Sequence, residues 1–183
     1  KNLQSFGQTV VIAFNKFATD TDEEIEVLRK HCEEMGCGFA VNSAFAEGGN
    51  GAIELANLVV KTIDERPSAP LYFAYDDNDS VEEKIEKVAF NLYGAGSVTL
   101  SDSAKAMIEE IKKLGAEKFP ICIAKTQYSF STDAKAYGPT EGFELHVRDI
   151  TVNMGAEMIV VIAGPIMRMP GLPKSPQAER IDV

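Results

Sequence analysis

Tryptophan is absent from the 183 residues, and histidine occurs only twice, as His31 and His146. Cys32, Cys37 and Cys122 are an odd number of thiols, and their spacing fits neither a zinc knuckle nor a disulfide framework. No metal site is therefore expected, and the thiols read as reduced. No apolar run approaches the roughly 20 residues of a membrane span, and Lys1 to Gln8 shows no signal-peptide core, so a cytoplasmic protein without a membrane partner is expected. Positive charge is in deficit: 18 Lys and Arg face 28 Asp and Glu, a formal net charge of −10. Such a surface repels phosphate backbones, which argues against nucleic acid as a partner. The sequence also contains no G-x-x-x-x-G-K-[ST], the loop that cradles nucleotide phosphates.

What is present is a hydrophobic fraction of 45%, enough for a substantial core. Lys1 to Gln8 reads as the last turns of a helix closed by Gly7. Val10 to Phe14 has the continuous β-branched character of a strand covered on both faces. Thr19 or Thr21 caps a helix reaching about Met35, with Asp22, Glu23 and Glu24 in its first turn and Gly36 behind it. Phe39 to Val41 is the next strand, and the turn Gly48-Gly49-Asn50-Gly51 leads into a helix from about Ala52 to Glu65, stopped by Pro67 and Pro70. Alternation of this kind is the signature of a doubly wound, mostly parallel α/β sheet.

Further along, Leu71 to Tyr75 is expected as a strand, Ser80 and Glu83 as the capping box of a helix to about Tyr93, and Ser101 as the start of a helix to about Leu114. Ile121 to Ala124 reads as a buried strand followed by the polar loop Lys125 to Ser131. Phe143, Leu145 and Val147 alternate as in a half-buried strand, Met158 to Ala163 is continuously apolar, and Gly164 to Pro176 reads as an irregular loop. The expected division is residues 1–70 as part of a nucleotide-binding-type α/β domain and residues 71–183 as a smaller α/β subdomain.

Ligands of open α/β sheets bind beyond the C-terminal ends of strands. Asn15-Lys16 stands at the first such end and Ser43-Ala44 beyond the second, an arrangement guanine-nucleotide proteins also use. Ala18 occupies the position where those proteins place a guanine-reading aspartate, so guanine specificity is disfavoured. Phe17 and Phe45 follow the two strand ends, and this matched placement suits rings stacking on a planar ligand better than core packing. Asn15, Phe17, Ser43 and Phe45 are thus the candidate ring-binding residues. Lys125 and Tyr128, in the loop after Ala124, are the candidate rim for a carboxylate or phosphate, sharing the strand-end rim if the strands are parallel. The glycine turn 48–51 is either an anion cradle or a tight connection. Met167, Met169 and Leu172 could form an apolar wall. No catalytic residue is assigned.

The segments Val-Val-Ile-Ala-Phe-Asn-Lys-Phe-Ala-Thr-Asp-Thr (10–21), Lys-Thr-Gln-Tyr-Ser-Phe-Ser (125–131) and Met-Pro-Gly-Leu-Pro-Lys-Ser-Pro-Gln-Ala-Glu-Arg-Ile-Asp (169–182) resemble the formate–tetrahydrofolate ligases, over about the last third of such an enzyme. The resemblance implies a P-loop-type half joined to a further α/β subdomain, with ATP and Mg as substrates rather than ligands of this piece. Formate is phosphorylated and the N10 amine of tetrahydrofolate attacks formyl phosphate to give 10-formyltetrahydrofolate. It also implies that an aromatic pair, falling on Phe17 and Phe45, sandwiches a ring of folate or nucleotide, although the family usually has tryptophan at Phe45 and proline at Ala18. The expected partners are tetrahydrofolate, formate, ATP, the missing N-terminal region and other copies in a homotetramer. The alternative is a folate- or nucleotide-binding module that lacks the ATPase half.

Overall fold

Thr21 begins the first long helix because its hydroxyl accepts from the Glu24 backbone N–H while the Glu24 carboxylate accepts from the Thr21 N–H, so two orphan donors are satisfied together. In the computed structural model, which describes residues 1–164 together with Ile166, Ser175, Pro176 and Glu179, the chain divides into two compact units, Lys1–Phe73 and Ala74–Val183. Both mix helices with small parallel or mixed sheets, so the class is α/β as expected. The second unit is the longer of the two.

The first unit runs α1 (Asn2–Ser5), β1 (Val11–Asn15), α2 (Asp22–Glu34), β2 (Gly38–Asn42), α3 (Ala44–Glu47), a 3-10 turn Gly48–Ala52 and α4 (Ile53–Glu65). β1 and β2 pair in parallel, Val11 opposite Gly38 and Asn15 opposite Asn42. Strand alternation sends Ile12, Phe14, Phe39 and Val41 toward Ile25 and Cys32 of α2. The Phe14 and Phe39 rings lie 6.3 Å apart, and the Arg29 guanidinium sits 4.9 Å from the Phe39 ring. On the other face Gly38 lets Leu58 of α4 come close, a Cβ there falling 3.4 Å from Leu58 Cδ2 and 3.2 Å from Val11 Cγ2.

The second unit contains α5 (Val81–Val88), a π-helical turn Ala89–Tyr93, β3 (Ser97–Leu100), α6 (Asp102–Lys113), β4 (Ile121–Ala124), β5 (Glu144–Val147), β6 (Asp149–Asn153) and β7 (Met158–Ile162). β3 pairs in parallel with β5, and a separate sheet has the order β4-β7-β6, with β4 parallel and β6 antiparallel to β7. Val81 and Ile85 of α5 and Ala104, Ile108 and Ile111 of α6 recur at helical spacing and are buried with Leu145, Val147, Ile150, Ile159 and Val161. Each fully buried aliphatic side chain contributes about 1.5–3 kcal/mol.

The main helices and the strands β1, β2, β4, β5 and β7 stand where the sequence predicts them. Leu71 to Tyr75 is not a strand: only Tyr72 N–H bonds across, to Phe6 O at 3.1 Å, and Leu71, Tyr72 and Phe73 are exposed. Pro70 removes a ladder donor at its start, and the unit boundary falls inside it. The helix expected to reach Tyr93 keeps α geometry only to Val88. The tail from Pro165 onward, including Met167, Met169, Leu172 and the segment 169–182, lies almost wholly outside the described residues.

Candidate functional site

Asn15 and Asn42 end the paired strands opposite one another, and Asn42 Nδ2 donates to Asn15 Oδ1 at 2.8 Å. This bond ties the two strand ends just before the chains diverge into loops. Asn42 Oδ1 also accepts from the Ala44 N–H at 3.3 Å, so one amide side chain braces both loops. Lys16 N–H still bonds to Asn42 O at 3.0 Å, and its ammonium stands 3.4 Å from Asp22 Oδ1. Phe17 N–H donates to Asp20 Oδ2 at 2.7 Å while Asp20 N–H donates to Phe17 O at 3.2 Å. That reciprocal turn fixes the backbone from which the Phe17 ring projects, 68% exposed.

Beyond β2, Ser43 opens α3 without a side-chain cap, but its N–H bonds to Gly51 O and its carbonyl accepts from Ala46 and Glu47 N–H, all at 3.0 Å. Gly51 is required at this approach, because a Cβ there would lie 2.5 Å from Ser43 C and 2.6 Å from Ser43 O. The glycine turn therefore closes back on the Ser43 backbone as a tight connection. Phe45, one residue into α3, is fully exposed at 101%. Neither phenylalanine belongs to the hydrophobic clusters of the described residues.

Lys125 and Tyr128 lie in the second unit, after β4, which pairs with β7, whereas β1 and β2 of the first unit pair with each other. The Lys125 ammonium turns into its own loop, donating to Ser129 O and to Thr126 O, the latter at 3.4 Å. It rests 4.7 Å from the Tyr93 ring centroid and 5.8 Å from that of Phe130. Burial holds its pKa below the ordinary lysine value, and burial raises that of the Tyr93 phenol. Tyr128 is 65% exposed on the same wall, and the residues enclose a cleft of about 520 Å3.

The family model for formate–tetrahydrofolate ligase matches residues 1–183, the whole sequence. The chain belongs to the formate–tetrahydrofolate ligase family. It is 63% identical over its full length to the formate–tetrahydrofolate ligase of Bacteroides fragilis and to that of Phocaeicola vulgatus, covering 33% of each. To the formate–tetrahydrofolate ligase of Campylobacter curvus it is 49% identical over 175 residues, 96% of this chain and 32% of the relative. The chain thus spans about a third of the length of these ligases.

Within that third, the strand pairing brings Asn15 and Ser43 to adjoining loops, each carrying an exposed phenylalanine, and leaves Lys125 and Tyr128 in a separate unit. Asn42 and the Asp20 side chain escaped the sequence reading, and Gly51 entered it only as part of the glycine turn. Asn42 carried a usable signal, since both strands of this ligase-family chain end in asparagine followed within three residues by phenylalanine. Tyr93 carried none, because its approach to Lys125 comes from a π-helical turn distant in sequence. Among the described residues no group of three His, Cys, Asp or Glu could hold a metal ion.

Proposed function

We propose that this chain supplies the ring-binding part of a formate–tetrahydrofolate ligase, with Asn15, Phe17, Ser43 and Phe45 framing a planar ring of tetrahydrofolate or of ATP. The observation that carries the reading is the exposure of Phe17 and Phe45 in loops anchored by one asparagine pair at adjacent strand ends. Exposed rings this large are unfavourable in water, and a flat ligand would cover them. Lys125 and Tyr128 form, in the same reading, a rim for an anionic or substrate group in the second unit. The parallel pair β1-β2 belongs to a doubly wound sheet completed by the region that the relatives have and this chain does not include.

In the reaction this assigns to the full-length protein, the γ-phosphoryl of ATP passes to formate. The N10 amine of tetrahydrofolate then attacks the formyl carbon, phosphate leaves with the C–O bonding pair, and the amine loses a proton. The glycine turn 48–51 lacks the Lys-Ser/Thr of a phosphate-binding loop, so the ATP phosphates and Mg are assigned to the remainder of the enzyme. A cytoplasmic homo-oligomer is the expected setting.

The test replaces Phe45 in the full-length protein. A stacked ring is worth about 0.5–1.5 kcal/mol beyond its area burial, so with the lost apolar contact added Phe45→Ala should weaken tetrahydrofolate or ATP binding about ten- to a hundredfold, at about 1.4 kcal/mol per tenfold. Phe45→Trp should bind at least as well as the parent. Calorimetric titrations paired with thermal melts decide: a large fall in Tm with unchanged affinity for both ligands would refute the pocket.

A further inference from the structure

Among the described residues, the cleft beside Lys125 is lined by one cation, three aromatic rings (Tyr93, Tyr128 and Phe130) and no carboxylate. That is unusual in a chain with 28 Asp and Glu. The cleft at the start of α2 is lined by Asp20, Glu23 and Glu24, and the one at the start of α5 by Asp77, Asp79, Glu83 and Glu117.

The partners of the Lys125 ammonium are two loop carbonyls and two ring faces. Carbonyl dipoles and aromatic quadrupoles fix the position of a charge without neutralising it. No carboxylate lies within ion-pair distance of Lys125 among the described residues, so its field is left to the cleft. The loop itself is braced by its own hydroxyls. Tyr128 N–H bonds to Thr126 Oγ1 at 3.3 Å, Ser131 N–H to Ser129 Oγ at 3.0 Å and Asp133 N–H to Ser131 Oγ at 3.1 Å. Tyr93 reaches the cation from a π-helical turn, a departure from α geometry frequent at functional sites. The wall is preorganised, and Tyr128 presents an exposed flat face beside a fixed positive charge.

We propose that this cleft binds a small planar aromatic anion, whose ring stacks on Tyr128 while its charge lies in the field of Lys125. Lys125 acts here as a positioning residue for the loop as well as the source of the field. The inference deepens the rim reading of Lys125 and Tyr128 and rests on it, but not on Phe17 or Phe45.

The test titrates the 183-residue chain with benzoate, with benzamide as the neutral isostere, and with inorganic phosphate as an anion lacking a ring. Benzoate should bind at least about tenfold more tightly than benzamide, and phosphate no better than benzamide. Lys125→Met should erase the preference for benzoate, Lys125→Arg should keep it, and Tyr128→Ala should weaken benzoate and benzamide together by about three- to tenfold. Equal affinities for benzoate and benzamide, or a preference that survives Lys125→Met, would overturn the proposal. So would phosphate binding as tightly as benzoate, or a Tyr128→Ala chain that binds like the parent. If Lys125→Met melts early, the Lys125→Arg and Tyr128→Ala titrations decide alone. Phe45→Ala should leave the benzoate preference intact, and its loss would place the ligand at the strand-end site and overturn the proposal. Failure here with a normal Phe45 effect leaves the ring-binding reading standing.

Discussion

At Lys84 the second unit closes over a charge. The side chain is fully buried, with its ammonium donating to Glu117 O at 2.7 Å and to Phe119 O at 3.2 Å and lying 5.6 Å from the Tyr75 ring. Burial lowers its pKa from 10.5, while Asp77, Asp79, Asp76 and Glu117 oppose that shift. A lysine pKa lower in the folded state means that between that value and 10.5 the unfolded chain binds more protons, so stability rises with pH across that window. Lys84→Met should reduce this rise, leaving the part due to Lys125, which is shifted the same way. Lys84→Ala should cost about 3 kcal/mol, because it opens a cavity and strands two carbonyls. Chemical denaturation at several pH values reads both effects, and a pH profile identical to the parent's would show that this ammonium is hydrated. Gly51→Ala tests the other close approach: the clash with the Ser43 backbone should cost about 1–3 kcal/mol and weaken ring binding, since it displaces the loop carrying Phe45.

The elements show where sequence reasoning works and where it stops. Ser80 was legible as a helix start because its partner Glu83 stands three residues on, and the structure has both reciprocal bonds. Ser80→Ala should cost about 1 kcal/mol in the stability of the second unit, measured by urea denaturation. A change within error would mean that packing alone sets the start of α5. The carboxylate of Glu83 is held below its ordinary value by the Ser80 backbone and side-chain hydrogen bonds, so its contribution is present above pH 4.5 and fades as pH falls through the lowered value. β3 and β6 were illegible for different reasons. β3, Ser-Val-Thr-Leu, carries only two apolar residues and no apolar neighbour beyond either end to extend the alternation. β6 follows β5 after Arg148 alone, yet β5 pairs with β3 while β6 pairs with β7, and no local pattern records a change of sheet within one residue. At the candidate site the strand ends were readable because position along a parallel strand dictates where a loop emerges. The Lys125 cage was not, since it depends on chain returning from Tyr93.

At the scale of the first unit, two strands are too few for what surrounds them. Parallel strands are ordinarily covered on both faces and flanked by further strands. Here β1 pairs only with β2 among the described residues, and Ala13 in its middle is exposed. The flanking helices carry apolar side chains that nothing in this unit covers: Val27 of α2, and Ile53, Val60 and Ile63 of α4. Grooves of about 510 Å3 and about 430 Å3 run along the two faces, one lined by Phe14, Val27 and Leu28, the other by Val11, Val59 and Ile63. Both border β1. The chain spans 33% of the length of the Bacteroides fragilis ligase, so a full-length protein has other chain with which to extend this edge. Hydrogen exchange on the full-length protein and on the 183-residue chain compares the two states directly. Amides of residues 11–15 should exchange at least about tenfold more slowly in the full-length protein, because a newly paired strand must open before they exchange. Amides of β5 and β7, already paired and buried in the second unit, should change little and serve as the internal reference. If residues 11–15 exchange at the same rate in both, the β1 edge stays open in the complete enzyme and the two-stranded sheet is its finished form.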